Sequence, residues 1–250
     1  MNLTDIPILV LIVSFVVLFF ATELGDLIRS RVHPITDEER SDFAVVLGAT
    51  LTLLGLLIGF SFSMAVGSYD LRRSYEQAEA SAISTEFMRA DLLDPQDAAR
   101  VRDLLKQYVG VRVQFYTTHG NQHMAKVNAD TEDLQSQLWS VVRAGVTANP
   151  NPVTALVISG LGDISNAQGD ARAAWLNRIP FSAWVLMFLI AVFSNLLIGY
   201  GAHHTSPPLF LVAPVTLSIA FFLISDLDST VAGTINVSPK NLVSISRSLK

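Results

Sequence analysis

Four stretches of this chain are long, apolar and almost free of charge, and they fall in two pairs on either side of a polar block. The first is Ile6–Ala21, which extends toward Leu27 and Ile28. The second is Phe43–Val66, the third Ile179–Tyr200, and the fourth Leu209–Ile224, opened by Pro207-Pro208. The pattern predicts four membrane-spanning helices. Phe43–Val66 carries no charged residue over its 24 positions. As a helix it would reach roughly 36 Å at about 1.5 Å per residue, enough for a hydrocarbon core of about 30 Å. No proline stands between Phe43 and Asp94 to stop it at the membrane surface, so one helix can cross the bilayer and run on into water. Its character changes from apolar to charged around Tyr69.

The polar block from Tyr69 to Arg178 carries helix signals and few strand signals. Ser74–Leu93 is rich in Ala, Glu and Met, and Asp94-Pro95 then breaks it, with Asp94 as N-cap and Pro95 at the first helical position of the next element. That element repeats apolar residues at Val101, Leu104, Leu105, Tyr108, Val109 and Phe115, close to the i, i+3, i+4, i+7 spacing of an amphipathic helix. A turn is predicted at Thr117–Gln122, around Gly120-Asn121. A helix over about 125–146 follows, with Leu134, Leu138, Trp139, Val141 and Val142 as its buried face. The run Asn149-Pro150-Asn151-Pro152 ends it, and a last helix leads from Pro152 toward Arg178. The chain is predicted to be all-α. Its divisions are 1–68 (first helix pair), 69–178 (helical domain), 179–225 (second pair) and 226–250 (tail). The amphipathic helices need partners for their apolar stripes, which each other or identical subunits can supply.

Composition agrees with a polytopic membrane protein. Half of the 250 residues are hydrophobic and 16% are charged. With no cysteine, disulfides and thiolate metal sites are excluded. The net charge of −5, with no basic cluster interleaved with aromatics, argues against nucleic acid as a partner. No Lys or Arg precedes Arg29, so the first segment lacks the basic start of a secretory signal and reads as a retained span. Arg72, Arg73, Arg172, Arg178 and the tail cations (Lys240, Arg247, Lys250) set the orientation by the positive-inside rule. The N-terminus, polar block and C-terminus are expected in the cytoplasm.

The second span carries the most specific pattern. Gly48, Thr52, Leu56, Phe60 and Met64 share one face by four-residue spacing. Gly48, Gly55 and Gly59 would permit close backbone approach between membrane helices. Thr50, Thr52, Ser61 and Ser63 add hydroxyls that either meet water or bond the carbonyl four residues back. Leu56 and Phe60 could close a pore by dewetting. Elsewhere, Asp226 and Asp228 follow the fourth span and could contribute to a hard-cation site, or simply end a helix. Glu23 and Asp26 mark the far end of the first span. Asn195 inside the third should bond a neighbouring helix. His203-His204 makes a poor chelate, and His119 and His123 are separated by a helix-breaking Gly-Asn. No nucleophile elbow, H-E-x-x-H or Gly-rich phosphate loop is present, so catalysis and a resident cofactor are not expected.

The runs Leu57-Ile58-Gly59-Phe60-Ser61-Phe62-Ser63-Met64-Ala65-Val66, Tyr69-Asp70-Leu71-Arg72-Arg73, Glu79-Ala80-Ser81-Ala82-Ile83 and Arg89-Ala90-Asp91-Leu92-Leu93 resemble a bacterial family of membrane proteins labelled bestrophin-like. The tail Asp226-Leu227-Asp228 with Gly233-Thr234-Ile235-Asn236-Val237-Ser238 is similar to that family's end. The family in turn distantly resembles the bestrophin ion channels. That resemblance implies a homopentameric ring passing ions, cytosolic termini, and a pore lined by the second span. Three residues at i, i+4, i+8 form its neck, here Thr52, Leu56 and Phe60. Thr52 stands where an apolar residue is usual, and the Arg-Trp-Trp that follows the bestrophin neck is absent, replaced by Tyr69-Asp70-Leu71-Arg72-Arg73. The resemblance also implies a possible calcium site at Asp226 and Asp228, since animal bestrophins bind calcium through acids in this region. The expected function is therefore a homo-oligomeric ion channel. The alternative is a non-conducting scaffold or signalling protein whose cytosolic helices bind a partner.

Overall fold

Helices account for nearly all of the regular structure in the computed structural model. It describes residues 6–31, 35–36, 38–118, 121–148, 150–202, 207–230 and 233–249. The helices are α1 (Pro7–Arg31), α2 (Glu39–Arg89), α3 (Pro95–Thr117), α4 (Asn121–Ala148), α5 (Thr154–Leu176), α6 (Phe181–Gly201), α7 (Pro207–Asp228) and α8 (Lys240–Ser248), with a 3₁₀ turn at Ala90–Leu92. Four of them, α1, α2, α6 and α7, contain stretches long and apolar enough to cross a membrane. The chain divides into two compact units. One holds 1–68 and 178–236, the other 69–177 and 237–250.

In the first unit α1 packs on α6 and α7. The buried seam of α1 is Val10, Ser14, Leu18, Ala21, Thr22 and Gly25, a three-to-four-residue repeat that puts small residues at one end. That end is where α1 and α6 cross most closely. A Cβ on Gly25 would overlap the Leu196 carbonyl, and one on Gly199 would overlap the Thr22 carbonyl. Only glycine lets these two backbones meet. Asn195 is fully buried beside this crossing. Its Nδ2 donates to Ala191 O at 2.8 Å, and Thr22 Oγ1 lies 3.3 Å from its Oδ1. The neighbouring-helix bond expected of Asn195 is thus present. Within α7, Ser218 Oγ donates to Pro214 O at 2.6 Å, and the proline is accommodated inside the helix.

In the second unit the rest of α2 joins α3, α4, α5 and α8 around one core. The predicted face of α3 is buried in full: Val101, Leu104, Leu105, Tyr108, Val109 and Phe115. Pro95 opens the helix after Asp94. On α4, Leu134, Leu138, Val141 and Val142 are buried, but Trp139 is 39% exposed and lies off the seam, one position past Leu138. The chain leaves α4 through an Asx turn in which Asn151 Oδ1 accepts from Val153 N and Thr154 N. The tail does not behave as one piece, since Val237 and Leu242 belong to the second unit's core while Asp226 and Asp228 belong to the first unit.

Candidate functional site

The apolar part of α2 is set apart by what does not cover it. Only 6% of its most apolar stretch is buried within the chain, against 33% for α1 and 39% for the α7 stretch. Its inward positions are Leu54, Ser61 and Ala65. The opposite side is bare and rich in large apolar residues: Val45 is 68% exposed, Leu56 53% and Phe60 61%. At about 100° per residue, Thr52 stands roughly half a turn from Ser61, with Leu56 advancing about 40° from Thr52 along the same face. Thr52 is exposed as well. The three positions read from the sequence as a neck are thus all exposed and lie on one side of α2.

Gly48, Gly55 and Gly59 lie on this exposed side too. Nothing stands within 4 Å of a Cβ placed on any of them. Among the described residues they pack against no neighbouring helix, unlike Gly25 and Gly199. The hydroxyls behave as helix-bonded groups: Thr50 Oγ1 donates to Val46 O at 2.7 Å and Thr52 Oγ1 to Gly48 O at 2.8 Å. The hydroxyl of Thr52 is thereby bonded to its own helix backbone.

The acids after the fourth span are committed elsewhere. Asp226 Oδ1 accepts from Thr234 N at 2.6 Å, and its Oδ2 accepts from Thr234 Oγ1 at 2.7 Å and Ile235 N at 3.1 Å. Asp228 Oδ1 accepts from Ile179 N at 3.1 Å. These carboxylates are surrounded by hydrogen-bond donors, whereas calcium takes six to eight oxygen ligands. Among the described residues no group of three or more acids or histidines could hold a metal. In this chain the pair works as a loop clasp, Asp226 on Thr234 and Ile235 and Asp228 on Ile179.

Asp26 forms a salt bridge to Arg29 at 2.6 Å, and Glu23 is exposed. His119, His203 and His204 lie outside the described residues, and His123 is exposed.

The residues that sequence reasoning passed over are on the charged half of α2. Arg72, Glu76, Glu79 and Glu86 are all buried, at 3%, 1%, 0% and 0% exposure. Glu76 accepts from Asn241 N and Leu242 N, both at 3.0 Å, and from Asn241 Nδ2 at 2.7 Å, capping the start of α8. Glu79 accepts from Nε and Nη2 of the Arg112 guanidinium. The signal was available: 72, 79 and 86 recur every seven residues, in phase with Ile83, so one helical face carries charge and core together.

Residues 9–242 match the family described as the Bestrophin-like domain. No functionally curated protein matches the sequence. The fold resembles crystal structures of a bacterial bestrophin homolog from Klebsiella pneumoniae. A tyrosine-to-alanine variant superposes with TM-score 0.68 at 13% identity, covering 96% of this chain and 97% of the other. An aspartate-to-alanine variant gives TM-score 0.68 at 14% identity, covering 97% of each chain.

Proposed function

Since the chain belongs to the bestrophin-like family, we propose that it assembles as a homo-oligomeric ring, by resemblance a pentamer, whose α2 helices line an ion pore. The supporting observation is the bare face of α2. A helix that must only anchor a chain can leave any apolar side to lipid. This one leaves bare a face that mixes glycines with Leu56 and Phe60. Small residues allow close helix approach in a bilayer, and among the described residues nothing approaches Gly48, Gly55 or Gly59. Copies of the chain are the natural occupants. Phe60 and Leu56 then form the apolar constriction, with Thr52 next along the face. The second unit, 69–177 with 237–250, sits in the cytoplasm together with both termini, and the protein resides in the bacterial inner membrane.

The test is ion flux in proteoliposomes from oligomers whose size has been verified. Leu56→Ala and Phe60→Ala widen and wet the constriction, and both raise flux above the wild type. Absence of flux from the wild type and both variants, with the ring intact, overturns the channel reading.

A further inference from the structure

The charged half of α2 holds a buried carboxyl group with no hydrogen-bond donor among the described residues. Glu86 is fully enclosed, and neither Oε1 nor Oε2 has a hydrogen-bond partner. Its carboxyl lies over Gly160 of α5. A Cβ added at Gly160 would overlap Glu86 Oε2 and stand 2.8 Å from Arg89 Nη1. The missing side chain of Gly160 is the space that the carboxyl occupies.

Arg89, three residues along the same helix, is the obvious counter-ion, yet its Nη1 is turned to α5. It donates to Leu156 O at 3.3 Å and lies 3.6 Å from Asp163 Oδ2. The other charges nearby are accounted for. Asp163 of α5 has the same sign as an ionised Glu86. Asp91 of the 3₁₀ turn is paired with Arg102 of α3, whose guanidinium lies 5.3 Å from the centre of the Phe87 ring. An ionised carboxylate here would have neither water nor a donor, which makes the charged form costly. The neutral acid avoids that cost.

We propose that Glu86 is a proton-binding site that couples pH to the packing of α5 on α2. Protonated, the acid rests against Gly160 and leaves Arg89 to Leu156 and Asp163. Deprotonated, it takes Arg89 from them or moves toward water, and α5 loosens at Gly160. This device operates within the second unit and requires nothing of the pore.

Burial pushes the Glu86 carboxyl up from 4.5 to about 8, with Arg89 opposing and Asp163 adding to the rise. The folded chain thus keeps a proton that the unfolded chain has released. Stability contributed by the protonated acid is full below 4.5, is lost as pH climbs from 4.5 to about 8, and changes no further above that. Within that window the folding equilibrium constant falls by up to about tenfold per pH unit from this group.

Two measurements on the full-length protein in detergent test the proposal. The first is infrared difference spectroscopy between about pH 6 and about pH 9.5, a range that brackets the raised midpoint and leaves ordinary carboxylates ionised throughout. One carboxylic-acid carbonyl band disappears in the wild type with a midpoint near 8 and is missing in Glu86→Gln. The second is hydrogen exchange of the α5 peptide around Gly160, corrected for intrinsic pH effects. Exchange rises about tenfold between about pH 7 and about pH 9 in the wild type and stays flat in Glu86→Gln. Gly160→Ala, which evicts the carboxyl, gives the fast exchange at neutral pH. A wild-type spectrum with no such titrating band overturns the proposal even where Glu86→Gln fails to fold. So does a Glu86→Gln protein that keeps the wild-type pH dependence of exchange.

Discussion

Replacing Glu79 by leucine strands a guanidinium in a core. Arg112 and Glu79 are both at 0% side-chain exposure. Arg112 Nε pairs with Glu79 Oε1, Nη2 lies 3.2 Å from Oε2, and Tyr116 Oη reaches the same oxygen at 3.4 Å. The guanidinium also stacks 4.3 Å from the centre of the Phe115 ring. Burial works against the charge on Arg112, but Glu79 outweighs it and the group's pKa is raised. Burial and the Glu79 charge together push the Tyr108 and Tyr116 hydroxyls above their ordinary value, so both stay protonated. Removing one partner of such a pair costs about 3–5 kcal/mol, because the other charge stays buried and unpaired. At about 3 °C or more per kcal/mol for a domain of this size, the melting temperature of the second unit drops by roughly 10–15 °C. Trp175 is the reporter, its ring lying 5.1 Å from Phe115 and 5.5 Å from Tyr116 between ring centres. Thermal unfolding in detergent is followed by its fluorescence in Glu79→Leu, Arg112→Met and the double variant. The double variant recovers most or all of the loss, since apolar replacement of a whole buried pair is often neutral or stabilising by about 1–4 kcal/mol. A cost below about 1 kcal/mol for Glu79→Leu, or a double variant no better than the worse single, would refute this account of the core.

Two further predictions concern the first unit. Gly199→Val drives a side chain into the Thr22 carbonyl, costs at least the 1–3 kcal/mol typical of overpacking, and separates α1 from α6; a cross-link between cysteines placed on the two helices forms more slowly in this variant. Asp226→Ala deprives Thr234 and Ile235 of their acceptor and makes the loop a protease target, while calcium leaves the wild-type melting temperature unchanged relative to chelator, because nothing binds that would stabilise the folded state.

What the sequence made legible and what it hid divide along physical lines. Charge-free runs are long-range signals that survive any tertiary context, so all four apolar helices and the uninterrupted run of α2 could be read directly. The core face of α3 was equally plain, because six apolar residues at helical spacing have few other uses. Hidden were contacts that depend on two distant elements at once. Gly25 and Gly199 look like any membrane glycines until α1 and α6 are crossed. Asp226 looks like half a metal site until Thr234 and Ile235 fold back onto it. The buried acids of α2 were hidden for a different reason: charge ordinarily marks a solvated face, and here Glu76 and Glu79 sit in a core because the start of α8 and Arg112 supply donors, while Glu86 has none among the described residues.

The two halves of α2 obey opposite rules of burial because they answer to different solvents. In the second unit the seam residues are charged and enclosed, and each must find a donor or give up its charge: Glu76 takes the α8 amides, Glu79 takes Arg112, and Glu86 finds none. Along the apolar half of α2 the exposed residues are mostly apolar, and a bilayer removes the penalty for leaving them bare, so the chain has no need to cover α2 with its own helices. Lipid alone would be satisfied by a uniform stripe of leucine and valine. The face that α2 leaves open instead interrupts its large residues with Gly48, Gly55 and Gly59, and folds the hydroxyl of Thr52 back onto Gly48. A surface of knobs and gaps is costly to fill with mobile acyl chains and well suited to rigid neighbours, and that is the physical argument for the proposed ring of identical chains over a solitary span.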